Sequence, residues 1–363
     1  MAPVSDVQLC PGVHVVAATP FLPDESLDEA SIGSLVDFCH ANGADGLLVL
    51  GVMGEADRLS DAERERVIEG FLEQNAGRMQ ITVGVTAGST VVARERARDA
   101  VRRGADAVMV SPPPGSSAGE PLREHFRRVG DELGAAVVVQ DHPASSAVKM
   151  PAEFIAGVVE MLPPGSVVKL EDPPTPPKIA RLRSLAGAVP IFGGLGGVSL
   201  LQELEAGADG VMTGFGFPER LARIVAEHRA GRVEEARRVF DGALPLMVFE
   251  SQPGIAAGVR KEVLRRRGAM RHATVRQPAP ALDDTTLAAL DVLLRESEVG
   301  SRKSGVGSRK TMIAVAAPLT TSDFRLPTSK RRNDPCPRSG ENSTPGTPSC
   351  SASAGWIRSP GCA

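Results

Sequence analysis

Along the first two hundred or so residues, short apolar runs alternate with longer stretches in which apolar positions recur every three or four residues. The short runs read as buried strands and the longer ones as amphipathic helices. Val13 to Ala18 is followed by a helix near Leu27 to Asn42, Gly46 to Leu50 by one near Ser60 to Asn75, and Ile81 to Val85 by one near Thr90 to Arg103. Asp106 to Ser111, Ala136 to Gln140, Ser166 to Lys169, Pro190 to Gly194 and Asp209 to Thr213 supply five more strands, with helical stretches between or after them. Eight such units are the count of a closed (β/α)8 TIM barrel. One phrase recurs around the ring, as Gly43-Ala44-Asp45-Gly46, Gly104-Ala105-Asp106-Ala107 and Gly207-Ala208-Asp209-Gly210: a glycine closing a helix, a tight turn, then an apolar strand. An open doubly wound sheet would alternate in the same way. No GxGxxG opens a helix, however, and the phrase continues to the eighth strand, which favours the closed barrel.

The pattern then becomes purely helical, near Glu219 to His228, Val233 to Phe249, Ile255 to Arg267 and Asp284 to Glu296. The expected organisation is a barrel over 1–218, a last barrel helix with a C-terminal helical extension over 219–298, and a tail over 299–363. From Ser301 on, the chain is rich in Ser, Pro and Gly and carries ten basic and three acidic residues, +7 against −10 for the rest. That is the composition of a disordered segment, either a basic interaction tail or an extension with no packed structure. The whole chain has a net charge of only −3, which suggests neither nucleic acid nor a membrane surface as partner. No apolar stretch is long enough to span a bilayer and no signal peptide is evident, so the cytoplasm is the expected compartment. Only Cys10 and Cys39 precede residue 300, and neither CxxC nor HExxH spacing occurs, so no metal site and no disulfide framework is expected.

Catalytic groups of such a barrel sit at the C-terminal ends of its strands. Strand six ends in Lys169, followed by Glu171, Asp172 and a run of prolines. A buried parallel strand rarely carries a lysine. An amine at an apolar barrel lip can be desolvated and attack a ketone to form a Schiff base; alternatively, Lys169 snorkels to solvent or pairs with Glu171 or Asp172. After strand two, Gly51-Val52-Met53-Gly54-Glu55 makes a glycine-flanked turn whose N–H groups could cradle a carboxylate, or simply a tight βα loop. Strand five delivers Gln140, Asp141 and His142, and the seventh loop, with Gly194, is built of small residues that let a ligand approach the backbone. The prolines from Pro173 to Pro177 either shape the mouth or merely open the next helix.

Together these residues resemble the dihydrodipicolinate synthase and N-acetylneuraminate lyase family. The resemblance runs from about Gly12 to Gly268 and rests on Thr19-Pro20-Phe21, the Gly51 to Glu55 turn, Leu59-Ser60, the strand-six lysine and the glycine-rich seventh loop. It implies a (β/α)8 barrel with a helical extension, assembled as a homodimer or homotetramer. It also implies chemistry in which Lys169 joins the ketone of pyruvate or another 2-oxo acid while Gly51, Val52, Met53 and Gly54 hold the carboxylate.

The departures bear on the second half of the reaction. The family's proton relay uses tyrosines and a threonine, and this chain has no tyrosine. Gln140 stands at the strand-five position, Val52 and Met53 in the turn, Pro112 to Pro114 after strand four, and no arginine follows Pro143. An amide cannot shuttle a proton, so Gln140 would orient substrate while Asp141, or else His142, does the acid/base work. The expected activity is that of a Schiff-base lyase or aldolase on a 2-oxo acid, with no cofactor. The alternatives are a sugar-acid dehydratase of the same family and a barrel that binds 2-oxo acids without turnover.

Overall fold

The structure, a computed structural model, describes residues 8–303 of the 363-residue chain, with side chains described through Ser297. Eight parallel strands close into a barrel in chain order: β1 Val13–Val16, β2 Gly46–Val49, β3 Gln80–Gly84, β4 Ala107–Val110, β5 Ala136–Asp141, β6 Val167–Leu170, β7 Ile191–Gly193 and β8 Gly210–Thr213. The helices are α1 Ala30–Ala41, α2 Asp61–Asn75, α3 Thr90–Arg103, α4 Glu120–Gly130, the single turn α5 Pro143–Ser146, α6 Ala152–Val159, α7 Thr175–Leu185, α8 Leu200–Glu205 and α9 Pro218–Arg229. Beyond the barrel follow α10 Val233–Glu250, α11 Ala256–Arg266 and α12 Asp284–Lys303. The expected barrel and its helical extension are both present. α12 runs on through residues 298 and 299, where the sequence placed a boundary, and most of the basic tail lies outside the described residues. No helix among the described residues is long and apolar enough to cross a membrane.

The recurring Gly-Ala-Asp phrase has a physical reason. Each glycine is left-handed at the end of a helix, with φ +79° at Gly43, +112° at Gly104 and +103° at Gly207. Each aspartate then accepts a hydrogen bond from the first strand of a pair: Asp45 from Val13 N at 2.8 Å, Asp106 from Ile81 N at 2.7 Å and Asp209 from Ile191 N at 2.8 Å. Ser166, after left-handed Gly165, does the same for Val137 N at 3.1 Å, which completes four strand pairs round the barrel floor. N–H groups that the ladder leaves open at the strand starts are satisfied in this way.

Two sequence readings shift locally. Leu27 does not begin a helix; it forms an isolated antiparallel bridge with Phe21, and α1 starts at Ala30. The prolines after strand six fall partly inside α7, where Pro176 and Pro177 occupy its first turn, as proline without an N–H can. Phe192 on β7 is fully buried and meets the His14 ring of β1 edge-on at 5.0 Å between centroids.

Candidate active site

Register and pleat decide which polar side chains reach the barrel mouth. Gln140 on β5 pairs with Lys169 on β6, and Asp141 pairs with Leu170. Because side chains alternate across a strand, Gln140 and Lys169 share one face, while Asp141 and Leu170 share the other. Glu171, two residues past Lys169, returns to the inner face. Its carboxylate lies 3.1 Å from Lys169 Nζ, accepts from Gln140 Nε2 at 2.9 Å, and accepts from the Leu195 N–H at 3.2 Å. Burial pushes the Glu171 pKa up, but the Lys169 charge and these donors outweigh it and hold the carboxyl below its ordinary value.

This cluster borders a cavity of about 380 Å³ that is also lined by Val52, Met53, His142, Thr213 and Arg260. The turn after β2 forms one wall: Val52–Gly54 is a 3-10 turn in which Met53 and Gly54 are buried. The first N–H groups of such a turn have no partner inside it, which leaves them for a ligand. Thr19 Oγ1 donates to Gly54 O at 2.7 Å and ties the turn to the end of β1. Glu55 does not face the ligand space. It accepts from Lys261 Nζ on α11, from Arg58 at 2.8 Å and from the Arg276 N–H at 2.9 Å, so it anchors the turn to the C-terminal extension. A second cavity, about 420 Å³, shares Val52 and Gln140 and is walled by Ser111, Pro112 and Pro114.

Gly194 is small for a reason that the structure makes explicit. A Cβ there would fall 2.4 Å from Glu171 Oε1, so any side chain would push the carboxylate off its partners. Leu195, Leu50 and Glu55 all hold left-handed backbone, with φ +48°, +59° and +49°. Non-glycine residues in that region concentrate at functional sites, and these three flank the mouth.

The acid/base expectation at Asp141 needs correction. Its side chain points out of the barrel toward α7, where Oδ2 accepts from Lys178 Nζ at 2.6 Å, and the same ammonium donates to Asp172 at 2.8 Å. Burial pushes Asp141 up to about 6 against the pull of Lys178, but it does not line the cavity. Strand alternation places it there, and the turn at Pro143 does not bring it back. His142 does border the cavity, with Nδ1 2.8 Å from Ser145 Oγ, and burial lowers its pKa. Of the expected site residues, then, Lys169, Gln140, Val52 and Met53 line one cavity, Gly51, Gly54 and Gly194 frame it, and Asp141 is excluded from it. In the sequence Glu171 stands out only as a partner for Lys169, although its two-residue spacing predicts the same face. Arg260 had no signal at all, being one charge on an amphipathic helix beyond the barrel.

Comparison with known proteins shows the family. The sequence pattern of the dihydrodipicolinate synthetase family matches residues 10–297. An L-2-keto-3-deoxyarabonate dehydratase of Azospirillum brasilense is 34% identical over 292 residues, 78% of this chain and 93% of that one. A 4-hydroxy-tetrahydrodipicolinate synthase of Porphyromonas gingivalis is 27% identical over 76% of this chain and 93% of its own length. Among solved structures, a dihydrodipicolinate synthase from Rhodopseudomonas palustris superposes with a TM-score of 0.75 at 36% identity, over 80% of this chain and 99% of that one.

Proposed function

The chain belongs to the dihydrodipicolinate synthetase family and is one of its lyases, and from that premise we propose that it removes water from a 2-oxo-3-deoxy sugar acid through a Schiff base on Lys169. The observation that carries this reading is the buried Lys169–Glu171–Gln140 cluster at the mouth of a barrel without tyrosine. A phenol relay is missing, and a carboxylate stands 3.1 Å from the amine in its place. The 34% identity to a dehydratase over most of both chains favours dehydration over condensation.

The proposed sequence is balanced without a redox partner. Glu171 takes a proton from Lys169, the free amine adds to the C2 ketone, and Glu171 returns that proton to the carbinolamine hydroxyl, which leaves as water to give an iminium whose carboxylate is held by the Val52 and Met53 N–H groups. The iminium acidifies C3. Glu171 accepts a C3 proton to form the enamine, then returns a proton to the C4 hydroxyl as it leaves, and hydrolysis of the unsaturated iminium frees Lys169. Gln140 donates to Glu171 and keeps it oriented. No metal or organic cofactor enters these steps. Family membership supports a small-molecule substrate, a homodimeric or homotetrameric assembly and a cytoplasmic setting, and we adopt these as part of the proposal.

Glu171→Gln separates the steps. We expect turnover of a 2-oxo-3-deoxy sugar acid, read by mass spectrometry as a product lighter by one water, to fall about 10²- to 10⁴-fold while borohydride trapping at Lys169 still occurs, more slowly, because water can take the proton from the amine. Unchanged turnover would remove Glu171 from the mechanism, and release of pyruvate instead of the dehydrated product would favour aldol cleavage.

A further inference from the structure

The cavity that holds Lys169 has a second cation, contributed from outside the barrel. Arg260 comes from α11, and its side chain is only 12% exposed. Its guanidinium lies between the loops after β7 and β8: a Cβ on Gly196 would sit 3.1 Å from Nη2, and one on Gly214 would sit 3.7 Å from Nη1. A side chain at position 196 would run into Ser251 Oγ and crowd the guanidinium, whereas one at position 214 would only touch it.

This buried arginine is poorly occupied. Among the described residues its one side-chain hydrogen bond is from Nη2 to Ser251 Oγ, at a long 3.3 Å, and Nε has no hydrogen-bond partner. The nearest carboxylate is Glu250, with Oε2 3.9 Å from Nε, too far for a hydrogen bond. That oxygen already accepts from the Gly216 N–H at 3.0 Å, and burial raises Glu250 to about 7, so its charge covers Arg260 incompletely at neutral pH. The other carboxylate of the cavity, Glu171, is held by Lys169, Gln140 and Leu195. A buried guanidinium without a hydrogen-bonded counter-ion is costly, and its fork geometry matches a carboxylate in two parallel bonds.

We propose that Arg260, with Ser251 beside it, is a second anion subsite that binds the far carboxylate of a 2-oxo dicarboxylic acid whose ketone reacts at Lys169. The assignment rests on the Lys169 chemistry proposed above and narrows its substrates to those sugar acids that carry a second, terminal carboxylate. Both anion sites border the one cavity: the turn after β2 takes the carboxylate next to the ketone, and Arg260 reaches in from α11 beside Ser251 and the β7 loop. A cavity of about 380 Å³ has room for a chain longer than pyruvate.

The test compares two oxo acids of equal chain length, 2-oxoglutarate and 2-oxopentanoate, which differ in a distal carboxylate against a methyl group. Each is titrated against borohydride trapping at Lys169, with pyruvate as the reference. We expect the wild type to half-saturate at a concentration about tenfold or more lower with 2-oxoglutarate, and Arg260→Met to lose that preference while still trapping pyruvate. Equal half-saturation in the wild type overturns the assignment, as does a preference that survives in Arg260→Met. If Arg260→Met does not fold, Arg260→Lys decides: a reduced preference supports the subsite, because an ammonium cannot make the paired bonds, and an undiminished one overturns it. Absence of any adduct, pyruvate included, is a different result, which overturns the Schiff-base reading and this subsite with it.

Discussion

Lys169 and Asp141 both sit at the carboxyl end of a barrel strand, yet one faces the cavity and the other a helix, and the difference is one step of the pleat. Burial alone therefore does not mark a catalytic acid. Asp141, raised to about 6, and Glu203, raised to about 7, are shifted chiefly by desolvation, and neither borders the cavity that Lys169 lines. Glu203 accepts from Thr175 Oγ1 at 2.6 Å, and its other oxygen has no hydrogen-bond partner. Such a group affects stability in a defined direction. A carboxyl whose folded pKa lies above its unfolded value costs the native state nothing while protonated, and the cost appears as pH rises from the unfolded value of 4.5 through about 7. Glu203→Gln removes that cost. The variant should gain on the wild type by about 2 kcal/mol between pH 5 and pH 8, measured as the change in their difference in urea unfolding free energy. A difference that is flat across this range, or that shrinks, would mean that Glu203 is not held protonated.

At the scale of elements, the strands and their order were legible because each strand is a short apolar run and each αβ turn announces itself with glycine. The Gly-Ala-Asp phrase reads as a repeat in the sequence; the structure shows what it repeats, a carboxylate seated on an N–H at the start of the neighbouring strand. Asp106→Ala should therefore destabilise by about 1–3 kcal/mol, the cost of leaving the Ile81 N–H without its acceptor, with Asp106→Asn milder because an amide oxygen can still accept. Chemical denaturation of both variants measures it, and an alanine variant as stable as the wild type would make the repeat incidental. Side-chain facing at the strand ends was only half legible. Alternation gives the correct answer for Gln140, Asp141, Lys169 and Glu171, but only once the register is fixed, and the register comes from pairing across β5 and β6 rather than from either strand alone.

For the molecule as a whole, the helices beyond the barrel complete the site. Lys261 of α11 is fully buried; it meets Glu55 of the β2 turn and lies over the Phe21 ring at 4.2 Å. Arg276 pairs with Glu63 of α2 and donates to the Arg58 carbonyl at 2.8 Å, and Arg271 pairs with Asp28 at 2.6 Å. The extension thus holds the first two βα loops in place and, through Arg260, reaches the cavity itself. None of this could be read from the sequence, because contacts separated by some two hundred residues leave no local pattern. The proposed chemistry turns on one amine. Incubation of the wild type and Lys169→Arg with pyruvate and borohydride, followed by peptide mass spectrometry, tests it most directly. We expect a reduced pyruvate adduct on Lys169 in the wild type and none in the variant, whose guanidinium keeps the charge but cannot form an imine. An adduct on another lysine, or one that survives in Lys169→Arg, would contradict it.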